Sequence, residues 1–131
     1  MKPKNIVVIG DTIIDHYVHA EAVGLSLETP TIKGKLLKEE YSFGGASNVV
    51  SNLLALGQKV TFITPVSNSK YGDLVRHWDH ANLNVVCLDS EHEISVKSRF
   101  WFSRGDSSYK VMQLNQGEPI KIGGDSGDYK N

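Results

Sequence analysis

The spacing of apolar residues changes several times along the chain, and each change marks an element. Residues 5–10 read NIVVIG, an unbroken apolar run closed by glycine. Such a run predicts a parallel strand buried on both faces. Residues 12–20 (TIIDHYVHA) are rich in Ile, Val, Thr and Tyr and predict an extended segment. Residues 24–29 predict a loop, and residues 31–42 alternate loosely, as one or two strands would. The period then lengthens. Ala46, Val49, Val50, Leu53, Leu54 and Leu56 follow Gly44-Gly45 at helical spacing, and Gly57 stops the helix. Residues 59–64 (KVTFIT) predict a strand. A second helix opens at Asn68 or Ser69, either of which can cap it, with Tyr71, Leu74, Val75, Trp78 and Ala81 as its apolar stripe. Residues 83–88 predict a further strand.

The texture changes again beyond residue 90. Residues 94–102 and 109–114 are β-rich runs flanking Arg104-Gly105-Asp106-Ser107, which predicts a hairpin turn. After Pro119 the chain is polar and glycine-rich, with Gly123, Gly124 and Gly127, and is expected to be loosely ordered. Strand, loop, helix, strand is the grammar of a parallel sheet. Segments 5–10, 59–64 and 83–88 belong to it. Segments 12–20, 31–41, 94–102 and 109–114 predict a separate antiparallel layer. The expected fold is therefore an α/β core with a small β-sheet attached. Residues 5–11 and 43–90 form the core, 12–42 and 91–118 the attached sheet, and 119–131 a tail. Three strands are few for a doubly wound sheet, so the core reads as incomplete.

Composition narrows the function. The 131 residues carry a formal net charge of −1, which gives no strong field for nucleic acid or an anionic membrane. No apolar run is long enough for a membrane span, and the expected address is cytoplasmic. The single cysteine, Cys87, sits in an apolar run and reads as a structural thiol. No GxGxxG follows the first strand and no P-loop is present, which argues against an ordinary nucleotide-binding domain. His77 and His80 share a helix face without a third metal ligand nearby, and His16, His19 and His92 read as surface residues.

Candidate chemistry gathers at two points. Asp11 follows the first strand, at the sheet edge where α/β proteins bind ligands, and its carboxylate can accept hydrogen bonds from two ligand hydroxyls. A turn or cap residue is the plainer reading of the same position. Asp15 reads as a solvated loop or strand residue. Gly44-Gly45 lets a backbone approach a ligand closely and opens a helix whose free N–H groups face outward, with Asn48 in its first turn.

The segment FGGASNVVSNLLALG, residues 43–57, resembles the N-terminal signature of the ribokinase/PfkB sugar kinases. The opening VVIGDTIIDHYV is similar to the start of the same proteins. Within the family, the bacterial heptose-7-phosphate kinases are the most similar. They share a GD-xxxD-xY opening, a stretch like LSLETP, and a KxR pair followed by SR, here Lys97, Arg99, Ser103 and Arg104. The resemblance covers residues 5 to about 118. Three departures stand out. Val50 occupies a position the signature gives to a small residue, Ser67 replaces a glycine, and Gln113 and Asn115 stand where heptose kinases often carry charge.

The resemblance implies a ribokinase-like α/β core with a β-sheet lid closing over the sugar. It implies that Asp11, Gly44, Gly45 and Asn48 hold sugar hydroxyls. Lys97 and Arg99, two apart on one lid strand, would bind the phosphate of a sugar phosphate; an exposed, solvated strand is the competing reading. ATP and Mg²⁺ would serve the full-length family, whose second half supplies the anion hole, the base and the nucleotide pocket. This chain would end before that half and be inactive alone. Open lid edges and the apolar Phe100, Trp101 and Phe102 invite pairing with a second copy, a homodimer joined lid to lid. The tail residues Gly123 to Asp128 resemble the family's GxGD loop only superficially, with three residues left after Asp128.

Overall fold

The computed structural model describes residues 2–91 and 93–117. Strands β1 (Asn5–Ile9), β4 (Lys59–Ser67) and β5 (Leu83–Ser90) form a parallel three-stranded sheet in the order β1-β4-β5. Strands β2 (Thr12–Leu25), β3 (Ile32–Gly45), β6 (Ser95–Arg104) and β7 (Ser107–Gln116) form a second sheet in the order β3-β2-β6-β7. Helix α1 (Ala46–Ala55) follows β3, and helix α2 (Lys70–Arg76) joins β4 to β5.

The α/β class and the division into two sheets agree with the sequence reading, with one correction. The second sheet is mixed. Its two hairpins, β2/β3 and β6/β7, are antiparallel, but they meet along a parallel β2/β6 seam. Both hairpins leave the core at the same end and run outward side by side, which forces that orientation. Strand β2 also takes in the first two residues of the expected loop, ending at Leu25 with a register shift between Ala22 and Gly24, and residues 26–29 are loop. Helix α2 is shorter than its apolar stripe implied. It is capped by Ser69, whose side chain accepts from Gly72 N–H, and ends at His77, so His77 and His80 share no helix face. Residue 92 and the tail from 118 on, with the readings made for them, lie outside the described residues.

Two apolar clusters hold the structure together. Val50, Leu54, Val60 and Phe62 pack with Val8, Ala46, Leu53, Trp78 and Leu83, and so fasten α1 to one face of the parallel sheet. Val50 is fully buried, so its extra bulk over a small residue is absorbed by the core. Ile14, Val66, Val75, Ile94 and Val96 pack with Phe43, Tyr71, Val85 and Cys87, and anchor the base of the mixed sheet on β4 and α2. Phe43 and Trp78, with ring centroids 4.5 Å apart, join the two clusters. The other face of the parallel sheet is apolar and uncovered among the described residues: Val7 is 61% exposed, Ile9 69% and Leu88 50%. Parallel sheets are ordinarily covered on both faces.

His16 is a second correction. It lies on the same strand face as Thr12 and Ile14 and is buried, not on the surface. Its ring stacks on Tyr41 at 4.5 Å, Nδ1 shares a 2.8 Å hydrogen bond with Ser98 Oγ, and Nε2 bonds the Glu39 carboxylate. The His16 bond, then the Tyr41 hydroxyl at 2.9 Å, hold the Glu39 carboxyl below its usual range. Burial, and then the bond to Glu39, push the Tyr41 phenol up to about 12. This polar knot ties β2, β3 and β6 together just above the apolar base.

Candidate functional site

The site begins where the two sheets part. β1 ends at Ile9, and Asp11 bridges into β2 with its side chain in solvent. On the neighbouring strand, β3 runs directly into α1. The Asp11 carbonyl accepts the Ala46 N–H at 3.0 Å, so the end of β1 and the head of the helix are fastened together. Gly45, the residue before the helix, has φ 63° and ψ −139°, a conformation open to glycine almost alone. A Cβ there would also lie 2.9 Å from the Asp11 carbonyl. Asn48 is exposed in the first turn of the helix. Asp11, Gly44, Gly45 and Asn48 therefore share one neighbourhood at the head of α1.

Alternation on the strands decides what else joins them. Thr12, Ile14 and His16 face the core, so Ile13, Asp15 and Tyr17 face the other way. In the parallel β2/β6 register, Asp15 stands opposite Lys97 and Tyr17 opposite Arg99. The Asp15 carboxylate reaches past Lys97 to Arg99, with Oδ1 accepting from Nη1 at 2.8 Å. The two side chains are only 21% and 22% exposed. The guanidinium also lies 5.3 Å from the centroid of the Tyr17 ring. The hydrogen bond to Asp15 is the main reason the Arg99 pKa stands above its ordinary value.

The second oxygen of Asp15 points over Gly44. A Cβ at position 44 would lie 2.5 Å from Asp15 Oδ2, closer than real atoms come. Gly44 thus leaves room for a carboxylate at the head of α1. Asp15, read from the sequence as a solvated residue, is a half-buried member of the cluster. The signal that could have placed it is the period of two: Asp15 shares the face of Gly44's partner Ile13, opposite to buried Ile14. Gln113 and Asn115 on β7 pair with Arg99 and Lys97, and Gln113 Nε2 donates to Asn115 Oδ1 at 3.0 Å. The resulting patch holds a carboxylate and an arginine paired with each other, two amides, the start of a helix, and a lysine that makes no ion pair among the described residues. Such a set can accept from hydroxyls and attract an anion.

A second polar cluster locks the sheets together nearby. The Glu93 carboxylate accepts from Ser67 Oγ at 2.7 Å, Ser69 Oγ at 2.8 Å and Ile94 N–H at 3.0 Å. Burial pushes this carboxyl up, but the three hydrogen bonds outweigh burial and leave it below its ordinary value. Ser67, which replaces the signature's glycine, is used here as a donor. Cys87 is only half-buried, and burial raises its thiol pKa. Among the described residues there is no cluster of three or more His, Cys, Asp or Glu side chains able to hold a metal, and no helix long and apolar enough to cross a membrane.

Comparison with known proteins agrees with this architecture. The chain is 41% identical over 122 residues to the bifunctional protein HldE of Campylobacter fetus subsp. fetus (strain 82-40), covering 91% of the chain and 26% of the relative. It is 32% identical over 124 residues to the bifunctional protein HldE of Campylobacter curvus (strain 525.92), covering 92% and 26%. The chain therefore spans only about a quarter of the curated relatives it matches. Escherichia coli phosphofructokinase-2 in complex with fructose-6-phosphate shares the fold with a TM-score of 0.56 at 18% identity, over 85% of this chain and 35% of that one. Ribokinase from Thermotoga maritima does so with a TM-score of 0.54 at 14% identity, over 83% and 35%. Residues 3–102 match the family described as pfkB family carbohydrate kinase. The chain belongs to the pfkB family of carbohydrate kinases.

Proposed function

We propose that the chain is the sugar-binding part of an ATP-dependent carbohydrate kinase, with a heptose 7-phosphate as its substrate. The observation that carries this reading is that the Asp15 carboxylate, bonded to Arg99 and opposite Lys97 in the mixed sheet, lies over Gly44 immediately before the head of α1. In this reading Asp15 Oδ2 and the exposed Asp11 carboxylate accept sugar hydroxyls, while Asn48 and the N–H groups of α1 donate. Lys97, beside the Asp15–Arg99 pair on the same lid face, supplies positive charge for the phosphate. The mixed sheet serves as the lid, in a cytoplasmic enzyme with no nucleic-acid or membrane partner.

The nucleotide does not fit the described residues. The start of α2 is capped by Ser69, and the head of α1, whose first N–H is bonded to Asp11, is in this reading taken by the sugar, so neither is left for a triphosphate. ATP and Mg²⁺ belong in this reading to further sequence of the kind that fills the rest of the relatives' length. The uncovered face of the parallel sheet, with Val7, Ile9 and Leu88, supports that view, since a complete doubly wound sheet would carry helices there. Titration calorimetry with heptose 7-phosphate in the absence of ATP tests the sugar site, and ADP release with Mg-ATP added tests catalysis. Heat without turnover is expected. Turnover by the chain alone would refute its catalytic incompleteness, and absence of heat would remove the sugar site.

A second reading, a non-catalytic module that pairs through its lid, is favoured by one observation. Beyond the buried base, the outer part of the mixed sheet exposes Leu36, Tyr109, Met112 and Leu114. An apolar sheet face of this kind suits a second copy of the chain. Sedimentation velocity distinguishes a homodimer from a monomer.

A further inference from the structure

The two cations on β6 are not equivalent. Arg99 is already engaged: Asp15 holds its Nη1 at 2.8 Å, and its guanidinium lies 5.3 Å from the centroid of the Tyr17 ring. Lys97, two residues earlier on the same strand face, stands opposite Asp15 in the register yet makes no ion pair among the described residues. The local charges therefore sum in a definite way. Asp15 and Arg99 cancel, and Lys97 stands next to them on β6 with no carboxylate in contact among the described residues. A dianionic group approaching this face gains most from the cation that has no carboxylate to give up.

The geometry points to a division of labour between the two: Lys97 is the residue that distinguishes a phosphorylated from an unphosphorylated sugar, and Arg99 is a positioning residue that holds Asp15 for the sugar hydroxyls. This rests on the sugar-binding reading above and refines it. Arg99 fixes Oδ1 of Asp15, which leaves Oδ2 over Gly44, two residues before the start of α1. A hydroxyl bound there is read by the Asp15–Arg99 pair whether or not the sugar carries phosphate. Recruiting Arg99 to a phosphate would release Asp15 and lose that hydroxyl contact. Asn115 opposite Lys97 and Gln113 opposite Arg99 carry no charge, and the further cation on β7 is Lys110, whose Nζ donates to Gln113 Oε1 at 3.2 Å on the Arg99 side of the patch. The separate anion site available nearby is the N-terminus of α1, and the experiment distinguishes the two.

Calorimetry on the chain with heptose 7-phosphate and with the unphosphorylated heptose reads the difference directly, with Lys97→Gln and Arg99→Lys as variants and thermal melts as a check on folding. Lys97→Gln is expected to weaken the phosphorylated ligand by about tenfold or more, the worth of a hydrogen bond to a charged group, and to leave the unphosphorylated ligand within about twofold. It should also remove the part of the salt dependence that belongs to the phosphate. Arg99→Lys keeps the charge but cannot reproduce the planar contact with Asp15, so both ligands should weaken by the same factor. The inference is overturned if Arg99→Lys removes the preference for phosphate, or if Lys97→Gln weakens both ligands alike or neither. An unchanged Lys97→Gln profile would move the phosphate to the helix N-terminus. If the unaltered chain binds both ligands equally, this inference fails while the sugar site stands. If it binds neither, the sugar-binding reading itself fails.

Discussion

Replacing Gly44 by Ala isolates the contact on which the site is built. The backbone at Gly44 does not lie in the left-handed region, so alanine adopts it without strain. The one severe obstacle is Asp15 Oδ2, 2.5 Å from the new Cβ; the next atoms, Asp15 Cγ at 3.5 Å and Ile13 Cβ at 3.7 Å, are at ordinary contact distance. The Asp15 side chain must therefore swing away, and in doing so it strains or breaks its bond to Arg99. A half-buried charged hydrogen bond is worth roughly 1–2 kcal/mol. Against this, exchanging Gly for Ala at a compatible backbone stabilises by about 0.4–1 kcal/mol through the unfolded chain. The net expectation is a loss of about 0.5–1.5 kcal/mol in the natural background. In an Asp15→Ala background the obstacle is gone and only the gain remains, so the sign reverses. Urea unfolding of the four proteins of this cycle measures the coupling, expected at about 1–2 kcal/mol. An equal cost of Gly44→Ala in both backgrounds would show that Asp15 does not lie over Gly44, and the site geometry described above would be wrong.

Two further outcomes follow from the polar knots. His16→Ala removes a stacked ring and two hydrogen bonds from beneath the mixed sheet and should destabilise by roughly 2–4 kcal/mol in urea unfolding; a cost under about 0.5 kcal/mol, typical of a surface site, would contradict its burial. The Glu93 carboxyl is held below its ordinary value of 4.5 in the folded state, so its contribution is fully present above that value and is lost as pH falls through the lower folded pKa. Glu93→Gln should therefore lose less stability than the natural chain between neutral pH and pH below 4.5, and parallel pH profiles would refute the role given to its three donors.

The elements were legible because most depend on local spacing. Residues 5–10, 59–64 and 83–88 are short apolar runs, and strands lie at each of them. The helix after Gly44-Gly45 was equally plain, since its apolar stripe buries Val50 and Leu54 on one side. What local spacing does not encode is which strands meet, and in which direction. The β2/β6 seam joins residues 82 to 84 apart in the chain, as His16–Ser98 and Asp15–Arg99 illustrate. Gly24 looked like the start of a loop but sits at an irregularity inside a continuous strand. Polarity alone suggests a surface place for His16, but the period of two does not. Counting in twos from buried Ile14 places it inward, where Ser98 and Glu39 satisfy it.

The same seam accounts for the site. With β2 and β6 parallel and in this register, Asp15, Tyr17, Lys97 and Arg99 fall on one face. A shift of one residue on either strand would send half of these side chains into the core. The register is in turn pinned from the opposite face, where Ile14 and Val96 are fully buried against Val66 and Val75, and His16 bonds Ser98. The polar face is thus positioned by the apolar one, through residues that never touch a ligand. An alteration at Val96 or Ser98 should for that reason disturb the spacing of Asp15 and Arg99 as strongly as it disturbs stability, whereas the α1 cluster around Phe62 bears on the site only through the placement of Gly45 and Asn48.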